Sequence, residues 1–235
     1  MKTLCRIKFK LKNENYSVDF GTPTTPEEFE EMFKLRYEVY IKEKGYGNQS
    51  YFPEEKEHDK YDIEKKCYYA IAKFDEKVIG TARLVKNDSL PLEEEYFSFN
   101  EPESVKKISR KYWAELSRLI SRPPFIFPPY LIMIGLFYTL LRYGFKYDLK
   151  IGFAVITKDL KEKIQKLGIP FYEINEYSAK SSDITRKFQG YFKKRKLSLI
   201  YFFRDEISKY LNEVIKNKLI SKYFRTEITL IKFPF

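Results

Sequence analysis

The chain has 235 residues, and its 43% hydrophobic and 18% aromatic content predicts one large folded domain, or a domain with an extension, and excludes a disordered chain. The chain has one His and two Cys, so a zinc site built from these residues is nearly excluded. Because no secretory leader is recognised before them, Cys5 and Cys67 are interpreted as reduced thiols in a cytoplasmic protein. The net charge of +11 is concentrated in the last quarter, where Lys180 to Phe235 holds 14 Lys/Arg and 5 Asp/Glu, which indicates an acidic partner or a solvated, lysine-rich surface.

The first part of the chain predicts a strand and a capped helix. Residues 4–11 alternate apolar and polar side chains, as a strand with one buried face does. Thr25 is placed to cap a helix whose first position holds Pro26. On that helix Arg36 shares a face with Met32, because residues four apart are helical neighbours. An arginine on the packed face needs a partner or a ligand.

The middle of the chain predicts a hairpin and then alternating strands and helices. The hairpin strands run from Cys67 to Phe74 and from Val78 to Val85. Three strands follow the hairpin, from Tyr112 to Ile120, from Lys150 to Ile156 and from Pro170 to Ile174. Two helices connect them: an apolar helix opened by proline, from about Pro129 to Tyr143, and a helix from Thr157 to Leu167 that Gly168 closes. The apolar helix is too short to span a bilayer comfortably, so we expect no transmembrane segment. This order predicts an α/β fold, with helices flanking a mixed central sheet that has an antiparallel front and a βαβ-like back.

The chain changes in composition after Ser178. We predict one domain over residues 1–178 and a basic, aromatic extension over residues 179–235 that packs on it, because its apolar content is too high for a free tail. Within the extension we predict two strands around an amphipathic helix: Leu197 to Phe203, Asp205 to Ser221, and Glu227 to Phe233.

Charged side chains recur where a core does not need them. Glu57, Asp59 and Asp62 fall in a loop before the hairpin, and carboxylates grouped in this way can hold a cationic amine or arginines. Taken alone, a solvated charge run is the simpler interpretation of these acids. Arg83 lies inside a strand, between two apolar residues.

The strand that holds Trp113 carries two further charges. By alternation Glu115 shares a face with Trp113, whereas Arg118 shares the opposite face with Ala114 and Leu116. A carboxylate beside Trp113 would be partly desolvated, which raises its pKa and suits a general base. For each residue by itself, a structural ion pair is the competing interpretation.

Four short segments together resemble a known family. They are Arg36-Tyr37-Glu38-Val39-Tyr40, Glu57-His58-Asp59-Lys60-Tyr61-Asp62, Gly80-Thr81-Ala82-Arg83-Leu84, and Glu115-Leu116-Ser117-Arg118. In this order they resemble the motifs of acyl-homoserine-lactone synthases, N-acyl amino acid synthases and exosortase-associated acyltransferases, all of which have a fold like the GNAT acetyltransferases. The resemblance runs from about Phe29 to Ile174.

The resemblance implies an N-acyltransferase that moves a fatty acyl group from a thioester to an amine, with no metal and no tightly bound cofactor. The implied donor is acyl carrier protein or acyl-CoA. The stretch after Arg118 lacks the glycine-rich pyrophosphate loop of acetyl-CoA-using relatives. This favours the acidic carrier protein, for which the basic surplus would be docking charge. The implied acceptor is a free amino acid or S-adenosylmethionine.

The same resemblance implies roles for individual residues. Glu115 is predicted as the catalytic base or as the residue that positions a water, with Glu57 second. The residues predicted to bind substrate, directly or by fixing the acids, are Arg36, Asp59, Asp62, Arg83 and Arg118. The acyl pocket is predicted to involve Trp113 and Phe153, and the helix from Tyr130 to Tyr143 either lines an acyl tunnel or fills the core. His58 is predicted to face solvent, and Tyr46 stands where the lactone synthases carry tryptophan.

Two functions of other classes stay open. A nucleic-acid-binding module would use Lys187 and the basic run from Lys193 to Lys196, with Tyr191 and Phe192 stacking on bases. It leaves the acidic loop and Glu115 unexplained, so nucleic acid is not the expected partner. The other is a non-catalytic interaction protein that keeps an enzyme-like fold.

Overall fold

A single large sheet forms the centre of the molecule, and helices cover both of its faces. A computed structural model describes residues 1–11, 13–64, 66–124, 127, 130–216 and 228–232. The strands are β1 (Lys2–Leu11), β2 (Glu14–Thr22), β3 (Cys67–Phe74), β4 (Lys77–Val85), β5 (Phe97–Phe99), β6 (Trp113–Ser121), β7 (Ile151–Thr157), β8 (Tyr172–Ile174), β9 (Tyr177–Ala179), β10 (Leu197–Phe203) and β11 (Ile228–Lys232). The α-helices are α1 (Pro26–Tyr37), α2 (Lys60–Ile63), α3 (Glu103–Lys106), α4 (Leu131–Lys146), α5 (Lys158–Lys166), α6 (Asp183–Lys187), α7 (Gln189–Lys194) and α8 (Arg204–Lys216).

Within the described ranges the main sheet has nine strands in the order β11-β1-β2-β3-β4-β6-β7-β10-β8, and β5 pairs with β9 in a second, small sheet. Neighbours from β11 to β6 are antiparallel, β6 and β7 are parallel, and β10 is antiparallel to both β7 and β8. Helix α4 connects the parallel pair, which makes the predicted βαβ unit. The predicted α/β class, with its antiparallel front and flanking helices, is confirmed.

The two faces of the sheet have separate apolar cores. On one face Leu131 of α4, Ile164 of α5 and Ile207 of α8 belong to the same buried cluster. The other face is covered by α1, α6 and α7, through residues such as Met32 and Ile184. Strand β6 therefore lies between two packed layers, and a polar side chain on it is buried on either side.

Local sequence signals determine several element ends as predicted. The Thr25 side chain accepts a hydrogen bond from the Glu28 backbone N–H, and proline opens α1. Strands β3 and β4 are joined by Asp75 and Glu76, which have φ of 46° and 63°, the two left-handed residues of a tight hairpin. After α5, Gly168 has φ of 71°, a conformation that glycine adopts without strain.

Two segments are more ordered than the sequence pattern indicated. Strand β2 was not predicted, although Tyr16, Val18 and Phe20 alternate along it and pair it with β1. The stretch from Asn87 to Val105, for which no element was predicted, contains β5, the start of α3 and a π-helical turn at Leu92–Tyr96. This turn becomes important at the candidate active site.

The C-terminal segment is part of the sheet rather than an addition to its surface. Strand β10 lies between β7 and β8, so a boundary at residue 178 does not separate it from the domain. The run Leu-Ile-Tyr-Phe-Phe suits a strand whose two faces are both covered. The predicted helix and last strand are seen as α8 and β11. The rest of this predicted helix and strand falls in residues 217–227 and 233–235, which lie outside the described residues. Pro128 and Pro129, expected near the start of α4, also lie outside them.

Helix α4 is a core helix. Beneath it the free Cys5 thiol lies 3.9 Å from the Thr139 hydroxyl, and Cys67 on β3 is also a free thiol. In the part of the chain that the structure describes, no helix combines the length and the apolar character needed to cross a bilayer.

Gly135 on α4 leaves space for Phe20 of β2. A Cβ at this position would lie 2.3 Å from the fully buried Phe20 ring. We expect Gly135→Ala to lower the free energy of unfolding by about 1–3 kcal/mol through overpacking, as measured by urea unfolding. Gly144→Ala is the matched control, because its Cβ would meet only the Arg204 side chain, at 3.6 Å. It should be neutral or stabilise by up to about 1 kcal/mol, and equal stability of the two variants would contradict the packing argument.

Candidate active site

Arg36 is the first charged residue of a buried site between α1 and the sheet. It lies in the last turn of α1 and is fully buried. Its Nε donates to Glu57 Oε2 at 2.6 Å, and Nη1 and Nη2 donate to the two oxygens of Asp62 at 3.2 and 2.9 Å. The fork of the guanidinium therefore binds Asp62 in a bidentate manner, which is a strong and directional contact.

Helix α2 positions two of the carboxylates. Asp59 is its N-cap, accepting hydrogen bonds from the backbone N–H groups of Tyr61 and Asp62, while Asp62 Oδ2 accepts from the Asp59 N–H at 2.9 Å. This reciprocal capping box holds the carboxylates side by side. The Tyr69 hydroxyl adds a hydrogen bond to Asp62 Oδ1 at 2.9 Å.

Arg83 reaches the same carboxylates from β4. Its Nη1 lies 2.7 Å from Asp59 Oδ1 and 3.0 Å from Asp62 Oδ2. Its Nε donates to the Ser117 hydroxyl of β6 at 3.2 Å. Arg83 lies inside a strand, as predicted, and its side chain is buried, with partners at the start of α2 and on the neighbouring strand β6.

A bulge in β6 turns Arg118 onto this face of the sheet. Strict alternation predicted Arg118 on the side of Ala114 and Leu116, and that prediction is wrong. Between the register pairs Arg83–Ser117 and Thr81–Ile120, three steps of β6 face two of β4, and Arg118 has φ of 57°. The extra residue reverses the alternation, so Ser117 and Arg118 both contact the buried charges.

Arg118 completes the set of ion pairs. Its Nε lies 3.0 and 3.1 Å from the Glu57 oxygens, and its Nη2 lies 3.1 Å from Asp59 Oδ2. Three guanidinium groups thus meet three carboxylates, and the formal charges cancel. We refer to these six residues as the ion network: Arg36, Glu57, Asp59, Asp62, Arg83 and Arg118.

The carboxylates of the ion network stay ionised. Burial by itself would raise the pKa of Glu57, but Arg118 and Arg36 outweigh it and hold the pKa below its ordinary value. Arg83 and Arg118 do the same for the pKa of Asp59, and Arg36 and Arg83 hold that of Asp62 well below its ordinary range. Among the described residues no group of His, Cys, Asp or Glu side chains is arranged to hold a metal ion.

Glu115 is electrostatically different from these acids. It is 2% exposed, and Oε2 accepts one hydrogen bond, from the Leu92 backbone N–H at 2.7 Å. Burial raises the pKa of Glu115 to about 7, against the opposing effects of Arg83, the Leu92 N–H and Arg118. The arginines compensate only partly because the ion network already neutralises them. The predicted rise in pKa is confirmed, and near neutral pH both protonation states are populated.

A cavity of about 660 Å³ opens where β6 and β7 separate. The two strands pair only as far as Glu115 and Phe153, and beyond this point they diverge. One face of α4 lines the space through Met133, Phe137 and Leu140, while Glu115 and Arg118 border it. A cavity of this size with apolar walls and a few polar groups can bury an extended apolar ligand.

The cavity excludes two residues predicted for the acyl pocket. Trp113 and Phe153 pack against each other with ring centroids 5.0 Å apart and do not line it. Both side chains belong to the buried cluster on the face of the sheet that α6 and α7 cover. The helix from Tyr130 to Tyr143, for which an acyl tunnel and the core were both open, borders the cavity through the α4 residues described above. Its Leu131 and Leu136 lie in the core, and an acyl chain beside this helix stays a prediction.

The other predicted residues are brought together but lie behind the cavity wall. Of the ion network, Arg118 borders the cavity and the remaining members do not. Their arrangement shows that they fix one another, and their direct contact with substrate stays a prediction, as does a catalytic role for Glu57. His58 is exposed and packs edge-on against Phe33, so its predicted place at the surface is confirmed.

Sequence patterns did not identify the tyrosines that hold the cavity open. The Tyr40 hydroxyl donates to the Leu119 carbonyl of β6 at 3.0 Å, and the Tyr191 hydroxyl donates to the Val155 carbonyl of β7 at 2.9 Å. These carbonyls belong to the diverging parts of two strands that no longer pair with each other. Tyr46 packs between the two rings, with centroids 5.8 and 5.0 Å away. The aromatic positions were visible in the sequence, but the strand separation that uses them was not.

Comparison with solved structures shows the same fold in several acyl-transferring synthases. The AHL synthase LasI superposes with a TM-score of 0.59 at 18% identity, over 83% of this chain and 93% of that chain. FeeM, an N-acyl amino acid synthase from uncultured soil microbes, gives 0.55 at 10% identity, over 86% and 96%. BjaI, a CoA-dependent acyl-homoserine lactone synthase solved with SAM and isopentyl-CoA, gives 0.52 at 14% identity, over 79% and 81%.

At these identities the structural comparisons show the fold alone. A search of curated proteins finds no match. A family model described as N-acyl amino acid synthase FeeM matches residues 31–167, which is more than half of the chain and includes the four motifs. The resemblance predicted from the sequence is thereby confirmed, and the chain belongs to the N-acyl amino acid synthase FeeM family and is an acyltransferase.

Proposed function

We propose that the chain transfers a fatty acyl group from an acyl thioester to the amine of a free amino acid, with S-adenosylmethionine as the second acceptor to be tested. The observation that carries this proposal is the position of Glu115. It is a buried carboxylate with a pKa of about 7 on the border of an apolar cavity. A base of this pKa beside a space for an acyl chain is what amide synthesis from a thioester needs.

The reaction requires one proton to move from nitrogen to sulfur. The acyl chain occupies the cavity along α4, with its carbonyl near the point where β6 and β7 separate. The neutral amine attacks the carbonyl carbon, the N–C bond forms, and the Glu115 carboxylate takes a proton from nitrogen. When the carbonyl re-forms, the C–S bond breaks, and the thiolate takes that proton from Glu115. The products are an amide and a free thiol, and positioning supplies much of the rate.

The ion network supports this chemistry from behind the cavity wall. It holds the Arg118 guanidinium, which borders the cavity, at fixed distances from Glu57 and Asp59. Because its charges cancel, it leaves Glu115 free to exchange a proton near neutral pH. A network of this kind positions side chains without itself binding substrate.

The donor we propose is an acyl carrier protein. Segment 183–196 has two sides: Phe188 and Tyr191 border the cavity, whereas Lys187, Lys193 and Arg195 are exposed. An acidic carrier that docks on the exposed side would bring its thioester arm to the cavity. Nucleic acid binding is disfavoured, because Tyr191 and Phe192 pack against Tyr46 and Tyr96 rather than offering free faces to bases.

Charge reversal at this surface should separate the two kinds of donor. We expect Arg195→Glu with Lys196→Glu to slow transfer from acyl carrier protein by ~10-fold or more at low salt. Transfer from acyl-pantetheine, which carries no protein, should change less than twofold. Lys8→Glu with Lys77→Glu changes the net charge equally at exposed sites on β1 and β4 and is the control. Equal slowing by both double variants would contradict docking at segment 183–196.

The acceptor is identified from the product. Lipids extracted from cells that express the chain are analysed by mass spectrometry and compared with cells that express Glu115→Gln. We expect an acyl amino acid that is present with the wild-type chain and depleted with the variant. Detection of an acyl lactone instead would identify S-adenosylmethionine as the acceptor. The absence of both products would contradict the proposal.

A further inference from the structure

Tyr96 is a buried residue on the cavity wall with an uncommitted hydroxyl. It is 6% exposed and borders the cavity together with Glu115 and Arg118. Of the other tyrosines that line the cavity, Tyr40 and Tyr191 donate their hydroxyls to strand carbonyls, and the remaining two are only partly buried. Among the described residues the Tyr96 hydroxyl has no hydrogen-bond partner. The hydroxyl oxygen is not one of the fully buried side-chain atoms that lack a partner, so it is open to the cavity, the space that the substrate would fill.

The π-helical turn Leu92–Tyr96 places this hydroxyl and the base together. Its first residue, Leu92, donates its N–H to Glu115, and its last residue is Tyr96. Turns of this kind are rare in proteins and are frequently found at functional sites. One five-residue turn therefore positions the Glu115 carboxylate and the Tyr96 ring relative to each other.

Ion pairs on the outer side of the turn hold it in place. Arg110 contacts both oxygens of Glu93, at 2.9 and 3.0 Å. Lys60 contacts Glu94 and Glu95. The Tyr96 ring packs against Phe192, with centroids 5.1 Å apart. The hydroxyl is thus held in one position before any substrate arrives, which is the requirement for electrostatic stabilisation of a transition state.

The surroundings of the hydroxyl keep it protonated. Burial raises the pKa of Tyr96 well above its ordinary value, and Glu115 and Asp59 act in the same direction, against Arg118 and Arg83. A phenol in this state donates a hydrogen bond across the whole neutral pH range. Glu115 cannot act as this donor, because in the proposed reaction it accepts the proton from nitrogen.

We propose that the Tyr96 hydroxyl donates a hydrogen bond to the carbonyl oxygen of the acyl thioester and stabilises the negative charge that forms there. The inference rests on the proposed function and adds a second catalytic residue to it. As nitrogen bonds to the carbonyl carbon, the C=O electron pair moves to oxygen, and the hydroxyl hydrogen bond shortens without proton transfer. When C–S breaks, the pair returns to the carbonyl, and Tyr96 is unchanged.

Kinetics of two Tyr→Phe variants provide the first test. We expect Tyr96→Phe to lower kcat by about 10²–10³-fold, the usual effect of losing one such donor, with KM within about threefold. The increase in rate with pH around pH 7, which reflects deprotonation of Glu115, should persist. Tyr201→Phe removes a buried hydroxyl that pairs with Ser104 away from the cavity and should keep kcat within twofold. Unchanged kcat in Tyr96→Phe would overturn the proposal.

A spectroscopic test does not require turnover. Decanoyl-pantetheine labelled with ¹³C at its carbonyl carries the thioester arm common to CoA and carrier protein, and its resonance is recorded with saturating protein. A donor polarises the carbonyl, so we expect a downfield shift in the wild type and in Tyr201→Phe that is lost in Tyr96→Phe. The same shift in all three proteins would overturn the role of Tyr96. If no amine is acylated yet the shift depends on Tyr96, the proposed function fails while the hydrogen bond stands.

Discussion

Glu115→Gln should lower the rate of acyl transfer by about 10²–10⁴-fold, the usual contribution of a general base. Glutamine keeps the size of the side chain and an oxygen that can accept from the Leu92 N–H, but it cannot take a proton. With the wild-type chain the rate should rise with pH and reach half its maximum near pH 7, because the pKa of Glu115 is raised to about 7. In the variant this rise should disappear.

The measurement is the pH dependence of free thiol release in the presence of the amine acceptor. Glu31→Gln is the matched control, since Glu31 also accepts a backbone N–H, from Val78 at 2.7 Å, but lies on α1 away from the cavity. It should keep the wild-type rate and pH profile. A Glu115→Gln variant that retains both would remove Glu115 from the catalytic role.

The same substitution has a signature in folding stability. The pKa of Glu115 is raised from 4.5 to about 7 on folding, so the folded state binds this proton more tightly than the unfolded state does. The contribution of Glu115 to stability is therefore present below pH 4.5 and is lost as the pH rises to about 7. The stability of Glu115→Gln relative to wild type should increase over this interval by on the order of 3 kcal/mol.

Glu57→Ala should lower the free energy of unfolding by about 3–5 kcal/mol, the usual effect of breaking a buried ion pair by removing one partner. Glu57 is fully buried and receives hydrogen bonds from Arg36 and Arg118. Without it both guanidinium groups lose an anionic partner inside the protein, and the ion network carries a net positive charge. Transfer activity should fall as well, because Arg118 loses the partner that fixes it.

Urea unfolding at constant m-value measures this effect. Glu30→Ala is the matched control, because Glu30 pairs with Lys34 and Lys56 at the surface, where its side chain is 47% exposed. Surface pairs contribute about 0–1 kcal/mol. If Glu57→Ala and Glu30→Ala had equal unfolding midpoints, the view of the ion network as a structural support would be wrong. Failure of Glu57→Ala alone to fold would agree with the expected loss.

The sequence predicted the parts of the site that local rules control. The helical face of Arg36 follows from the spacing of four residues. Asp59 and Asp62 were predicted only as acids of a loop, and the capping box that they form at the start of α2 was not predicted. The raised pKa of Glu115 followed from its place beside Trp113 on a strand. Each of these inferences needs only the chain near the residue in question.

The parts that depend on distant contacts were not predictable in this way. Arg118 has φ of 57°, a backbone conformation that is disfavoured for an arginine by local sterics. In the folded protein the side chain in this conformation makes ion pairs with Glu57 and Asp59. The cavity depends on where β6 and β7 stop pairing, which no motif marks, and Trp113 and Phe153, which were predicted for the acyl pocket, do not line it. The insertion of β10 between β7 and β8 likewise depends on contacts between residues that are distant in the sequence.

One measurement tests the central claim most directly. Purified chain is incubated with ¹³C-labelled decanoyl thioesters of pantetheine, CoA and acyl carrier protein, together with the free amino acids and S-adenosylmethionine, and the products are identified by mass. We predict a labelled decanoyl group in amide linkage to an amine acceptor, formed by the wild-type chain and reduced at least 100-fold in Glu115→Gln. No amide from any donor and acceptor, or equal yields from the two proteins, would contradict a thioester-dependent acyl transfer catalysed by Glu115.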